Sequence, residues 1–306
     1  VYAENLGSGS PSARAQIVFA KKKSGTPVWE RTMVCEVPGG VRSIAFAQDW
    51  EGAYWVAYAT DVKVESDPPW SVENTSLWLT SSTNHGGEWS DPRIAFHYVK
   101  GGECNSGVSK LALAQDACGE FWLVWNHDLW KQHLLMYVRS SAGGSYWGSD
   151  PTILDDRDVG AFYADADGEL HRVIPGASWI YRASWLDYEV SADCGQTWVD
   201  RGILIPYETS FATLYQEPSG EGSTGSWLWL VWLRSWDDTY VVEYSLDDGK
   251  SWTTHAVFKD VEDRYEYSVA SEMSLLGDGS DGAGRVYLFW AQPTGGEKAI
   301  YYAVIS

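Results

Sequence analysis

The sequence predicts an all-β fold, a β-propeller of four-stranded antiparallel blades, on two observations: a turn motif repeats at a near-constant period, and paired apolar runs recur between its copies. A period of this length marks an array of like supersecondary units. Ser245, Asp247, Gly249 and Trp252 read S-x-D-x-G-x-x-W; Ser191, Asp193, Gly195 and Trp198 repeat it; Ser82, Gly86 and Trp89 keep it with Asn84 in the acidic place. Two copies are degraded: 140–147 has Ala142 where the acid belongs, and Ser24, Gly25 and Trp29 keep only a turn and an aromatic. Trp29, Trp89, Trp147, Trp198 and Trp252 lie 60, 58, 51 and 54 residues apart, one unit per period.

The motif is a hairpin turn in its physics. The Asp or Asn side chain accepts backbone N–H groups, the glycine takes positive φ, and the tryptophan packs beneath. Apolar strands flank it, as at 76–79, 134–137 and 240–244 before and 93–96 after. Between copies lies an inner hairpin: 43–47 with 53–58, 110–114 with 121–125, 161–164 with 169–173, 212–215 with 227–232, and 273–276 with 285–290. Turn residues separate the strands as hairpins require. Five inner hairpins favour five blades around a channel, six being the alternative. The end strand 299–304 is expected to pair with the N-terminal segment 16–37 and close the ring. The whole of 1–306 then reads as a single domain, with 1–13, rich in Gly and Ser, as a flexible N-terminal segment.

Composition narrows the partners. The chain has 42 acidic against 22 basic residues and a formal charge of −20, which repels nucleic acid and anionic membrane surfaces. No apolar run is long enough to span a bilayer, and the start at Val1 lacks a charged-then-apolar leader, as in a mature secreted or cell-surface chain. Nineteen Trp and 18 Tyr against 8 Phe serve either blade packing or sugar stacking. Cys35, Cys104, Cys118 and Cys194 lack paired metal-ligand spacing and read as thiols. The six histidines show no metal-ligand pattern beyond the loose pair His127 and His133, so no metal and no cofactor is expected. Asp278 and Asp281 offer oxygen ligands to a structural calcium, against the plainer reading of a hairpin turn.

The repeated turn resembles the Asp-box of the sialidase (neuraminidase) superfamily, also known as the BNR repeat, and the resemblance extends in order along nearly the whole chain. It implies a site at one channel mouth, built from loops entering and leaving the inner strands. Arg42, before the first inner strand, stands where the family has its first substrate arginine, although the proline of that motif is missing. Asp61 and Asp67 are equal candidates for the acid/base. Glu208, before the fourth inner strand, matches the glutamate that activates the nucleophile, and Tyr267, in Glu266-Tyr267-Ser268, matches the nucleophile. Arg234 matches a second arginine, and Lys298 is the nearest basic residue to the place of a third. Lysine lacks the bidentate fork of arginine, so this set departs from the family pattern.

Three functions are open at this point. One is a sialidase-like exo-glycosidase acting on an extracellular glycan or glycoprotein. The second is a noncatalytic Asp-box propeller that binds glycans or proteins. The third is a surface or filament assembly module that self-associates through unmatched terminal strands.

Overall fold

The computed structural model describes residues 1–5, 14–22, 29–38, 40–64, 72–99, 107–129, 132–148, 150–157, 160–165, 167–176, 185–205, 209–216, 228–234, 239–247, 250–259, 273–278, 285–294 and 297–305. From 258 onward, and at the loop ends of several strands, the description is of backbone only. The chain forms two compact units, Val1–Asp156 and Arg157–Ser306. All described strand pairings are antiparallel, and every sheet joins strands in chain order. No helix is found among the described residues.

The first unit holds three sheets. β1 (Tyr2–Asn5), β2 (Arg14–Lys22) and β3 (Trp29–Pro38) form a three-stranded sheet. β4 (Val41–Gln48), β5 (Tyr54–Val64), β6 (Val72–Ser82) and β7 (Arg93–Val99) form a four-stranded sheet. So do β8 (Gly107–Gln115), β9 (Glu120–Leu129), β10 (Gln132–Ala142) and β11 (Thr152–Asp155). Of the segment 1–13, Tyr2–Asn5 pair with β2, and 6–13 lie outside the described residues.

Strand β5 shows why its sequence is almost continuously apolar. Successive side chains in a strand point to opposite faces, so a strand buried on both faces loses the alternation of a half-exposed one. Trp55, Ala57 and Ala59 join Leu77 and Leu79 against Leu111, Leu113, Phe121 and Leu123 of the next sheet. Val56 and Tyr58, between them, pack the other way against Ile17, Phe19 and Val37 of the preceding sheet. Gly86 sits at φ +83°, and a Cβ there would stand 2.4 Å from Cε1 of Phe19. That ring is wedged beside Tyr54 and Trp89, at centroid distances of 5.4 and 5.6 Å, and has nowhere to retreat. Gly86→Ala combines a left-handed backbone with overpacking. It is expected to cost about 2–4 kcal/mol in chemical denaturation, and a change under 0.5 kcal/mol would contradict this packing.

The second unit holds β12 (Ala161–Ala164), β13 (Leu170–Gly176), β14 (Trp185–Ser191) and β15 (Val199–Ile205). A second four-stranded sheet contains β16 (Thr209–Gln216), β17 (Leu228–Arg234), β18 (Thr239–Ser245) and β19 (Thr253–Lys259). A three-stranded sheet contains β20 (Met273–Asp278), β21 (Arg285–Thr294) and β22 (Glu297–Ile305). Its described core packs Val173, Leu186, Tyr188 and Val190 against Leu214, Leu228, Leu230 and Trp232.

All five inner hairpins expected from the sequence are present as β4–β5, β8–β9, β12–β13, β16–β17 and β20–β21. The terminal strands differ from expectation. β2 is already paired on both edges, by β1 and β3, so the N-terminal residues make a sheet of their own. The expected pairing of 299–304 with 16–37 is not among the described pairings, in which β22 joins only β21. The thiol expectation also fails in part. Cys118 and Cys194 are disulfide-bonded, Cys35 is a buried free thiol, and Cys104 lies outside the described residues. Spacing along the chain says nothing of which cysteines the sheets bring together, so the sequence could not show this. Reduction is expected to lower the melting temperature measurably, since native disulfides restrict the unfolded chain; an unchanged melting curve after complete reduction would contradict it.

Candidate functional site

In a four-stranded antiparallel meander, the first-to-second and third-to-fourth turns share one end, and the second-to-third link and the entry to the first strand share the other. The first of these ends is held by two kinds of aspartate-centred turn. The S-x-(D/N)-x-G-x-x-W turns join third and fourth strands: β6 to β7, β14 to β15 and β18 to β19. Ser82 Oγ donates to Asn84 Oδ1 (2.9 Å) and accepts the Gly86 N–H (2.9 Å), while Asn84 Oδ1 also accepts the Glu88 N–H (2.8 Å). Asp193 repeats all three bonds and Asp247 the serine and backbone bonds to its carboxylate, and each adds a second bond, from the hydroxyls of Thr197 and Ser251 at 2.6 Å.

Those added hydroxyl bonds, helped by backbone N–H groups and the motif serine, pull the Asp193 and Asp247 carboxyls down to about 2 from 3.8. A carboxyl depressed on folding contributes stability that is full above its unfolded pKa and lost as pH falls through the folded one. Acid loss between about pH 4 and pH 2 is therefore expected. Asp193→Asn and Asp247→Asn should each flatten it, as Asn84 already does naturally in the first unit. A pH series of unfolding midpoints with unaltered slopes for both variants would refute the assignment.

The second kind of turn was not read from the sequence. Asp49, Gly52 and Trp55 recur as Asp116, Gly119 and Trp122, and again as Asp165, Gly168 and His171, a D-x-x-G-x-x-(W/H) turn between first and second strands. In each, one carboxylate oxygen accepts two backbone N–H groups: from Glu51 and Ala53, from Cys118 and Glu120, and from Asp167 and Glu169. The other oxygen of Asp49 and of Asp116 accepts the indole N–H of Trp55 and of Trp122 at 2.8 Å. In the third copy His171 takes the indole's place, with Nε2 3.3 Å from Asp165 Oδ2 and Nδ1 2.6 Å from the Tyr188 hydroxyl. The ligand atoms of Asp165, Glu169 and His171 lie within 4.8 Å of one another. Because both His171 nitrogens are already engaged as the indole is in the sister turns, this cluster is accounted for as turn structure.

Arg172 donates through Nε to Glu189 at 2.8 Å and stacks over Trp198 at 4.2 Å.

The described residues expected to do chemistry, Arg42, Asp61, Arg234 and Lys298, belong to the opposite end of their sheets. Arg42 is exposed at an irregularity of β4, where pairing passes from Val41 opposite Thr60 to Ser43 opposite Ala59. Asp61 follows Thr60 on β5, opposite Thr75, so the hairpin brings the Arg42 and Asp61 backbones to neighbouring positions. In the second unit, half-buried Arg234 ends β17 opposite Thr209, the residue after Glu208. Lys298 lies near the start of β22, opposite Pro293. Asp67, Glu208 and Tyr267 lie outside the described residues, as does Asp281.

No protein-family model and no curated protein matches the sequence. Among solved structures, the chain is similar to the α-L-arabinofuranosidase Arb93A of Fusarium graminearum, in complex with an iminosugar inhibitor. The TM-score is 0.62 at 15% identity, over 99% of this chain and 92% of that one. The α-L-arabinanase of Penicillium chrysogenum, complexed with arabinobiose, gives 0.61 at 15% identity over the same shares, 99% and 92%. The Hadza microbial sialidase Hz136 gives 0.57 at 18% identity over 86% of this chain, which spans 56% of that sialidase's length. What these likenesses show is the fold: successive antiparallel sheets of the kind found in β-propeller glycosidases.

Proposed function

We propose that this chain is a secreted propeller-type glycoside hydrolase acting on an extracellular glycan, its sheets serving as blades, with Asp-box turns at one end. In this reading Tyr267, activated by Glu208, is the nucleophile, and Asp61 or Asp67 is the acid/base. Arg42, Arg234 and Lys298 bind substrate.

The observation that carries the reading is the division of the four-stranded sheets into two ends. Aspartate-centred turns close one end, and the described members of the expected set, Arg42, Asp61, Arg234 and Lys298, fall at the other. Charged groups on strand ends, held by a rigid scaffold, are how propellers and barrels place their chemistry. The solved arabinan-active enzymes and the sialidase with similar folds support a glycosidase over a protein-assembly module. The disulfide-bonded Cys118 and Cys194 support secretion, because such bonds persist in oxidising compartments.

The test is a panel of fluorogenic α-L-arabinofuranosides, sialosides and neutral pyranosides. Release from at least one class supports hydrolysis. Binding on a glycan array without release from any member would replace the enzyme with a noncatalytic glycan-binding propeller.

A further inference from the structure

We infer that Lys110 is a substrate-binding residue, acting beside Arg42 on a carboxylate-bearing saccharide; this rests on the glycan-acting reading and names its substrate class. Three described non-glycine residues have positive φ: His85 at 56°, Cys194 at 55° and Lys110 at 48°. The first two hold the fourth place of an S-x-(D/N)-x-G turn, where the turn itself demands that conformation. Lys110 lies inside strand β8, where no turn demands it. A long side chain in the left-handed region is strained, and such strain inside regular structure persists where the surroundings over-determine it, often at binding sites.

The ladder shows what the strain achieves. Pairing jumps from Ser109 opposite Asn126 to Ala112 opposite Val124, so Lys110 and Leu111 together face one partner residue. Such a bulge re-aims side chains beside sites. It also turns the Leu111 N–H out of the ladder, and that group donates to Ser43 Oγ at 3.0 Å on the neighbouring inner strand β4. Ser43 is 4% exposed and follows Arg42, which sits at the irregularity of β4. Arg42 and Lys110 therefore stand one residue from either end of a single hydrogen bond between adjacent first strands. β16 has a third irregularity near its entry, between Thr209 and Phe211.

In a chain of charge −20, Arg42 and Lys110 bring two cations to adjacent first strands, each next in sequence to one partner of the Leu111–Ser43 bond. A guanidinium fork with an ammonium point charge suits a carboxylate, and the fold already places Arg42 beside the Asp61 backbone. Sialylated and uronate-containing sugars share this chemistry.

The experiment is a glycan array of neutral, sialylated and uronate-containing oligosaccharides, followed by calorimetric titration of the best-bound acidic and neutral members with Lys110→Gln, Lys110→Gly and Lys110→Arg. The wild type is expected to prefer acidic members. Lys110→Gln should weaken them roughly tenfold or more and leave neutral ones unchanged, and Lys110→Arg should retain binding. Lys110→Gly relieves the backbone, so its melting temperature should rise by about 2–4 °C while acidic glycans still weaken. If that rise comes with unchanged acidic binding, the residue is structural and the inference falls. A wild-type preference for neutral glycans also overturns it, leaving the glycan-acting reading intact. Failure to bind or cleave any glycan would sink that reading itself.

Discussion

Asp116→Ala is expected to lower unfolding stability by roughly 3–5 kcal/mol, with a melting temperature about 10 °C below wild type. The carboxylate is fully buried and satisfies three donors: the N–H groups of Cys118 (2.9 Å) and Glu120 (3.0 Å) and the indole N–H of Trp122 (2.8 Å). Trp122 is itself 1% exposed, so its stranded N–H has no route to water. The Arg139 guanidinium, 3.6 Å from Asp116 and 4.6 Å over the Trp122 ring, keeps its contact with Glu120 but loses its nearest fully buried counter-charge. Asp116→Asn is expected to fall between, because its amide keeps an acceptor for the backbone but turns an N–H toward the indole N–H. Asp49→Ala, in the more exposed sister turn, should cost less than Asp116→Ala. Thermal and urea unfolding of the three variants measures this; an Asp116→Ala loss below 1 kcal/mol would mean that the turn is not held by its carboxylate.

Under the proposed function, Tyr267→Phe is expected to reduce turnover on the order of 10³-fold, because removing the hydroxyl removes the proposed nucleophile while keeping the ring. Glu208→Gln should reduce turnover less and change its pH dependence, since a neutral amide does not withdraw the phenolic proton. Both variants should melt within a degree or two of wild type, which separates lost chemistry from lost fold. Undiminished turnover by Tyr267→Phe would remove this tyrosine from the mechanism and return the assignment to the carboxylates Asp61 and Asp67.

What the sequence made legible follows from how local each signal is. The S-x-(D/N)-x-G-x-x-W turn is written in eight consecutive residues, so Ser191, Asp193, Gly195 and Trp198 announce it unaided, and its bond from serine to Asn or Asp recurs three times in the structure. The inner hairpins were legible because β5 and β9 bury both faces and so read as long apolar runs. The D-x-x-G-x-x-(W/H) turn escaped because His171 breaks the aromatic pattern, and its equivalence to Trp55 and Trp122 shows only in the bond to Asp165. The extra N-terminal sheet escaped because β1 has only four residues and little apolar character. Lys110 escaped altogether, since nothing in a lysine announces a left-handed backbone. Of the candidate site, the placement of Arg42 and Arg234 at strand ends was readable from their position beside the inner hairpins, whereas the link from Ser43 to Leu111 spans 68 residues and needed three dimensions.

The two-ended sheets have a consequence for how such a chain can be altered. At the end held by Asp49, Asp116, Asp165, Asn84, Asp193 and Asp247, each turn has its length dictated by a side chain that counts backbone N–H groups two and four residues ahead, or four ahead, so a one-residue insertion there breaks the count. At the other end, the pairing of β5 with β6 and of β17 with β18 runs to the strand ends, Val64 opposite Val72 and Arg234 opposite Thr239, so it does not depend on that count. Segments joining those strand ends can therefore be exchanged while the aspartate turns act as a fixed chassis, and a library confined to such segments should retain folded members at far higher frequency than one confined to the aspartate turns.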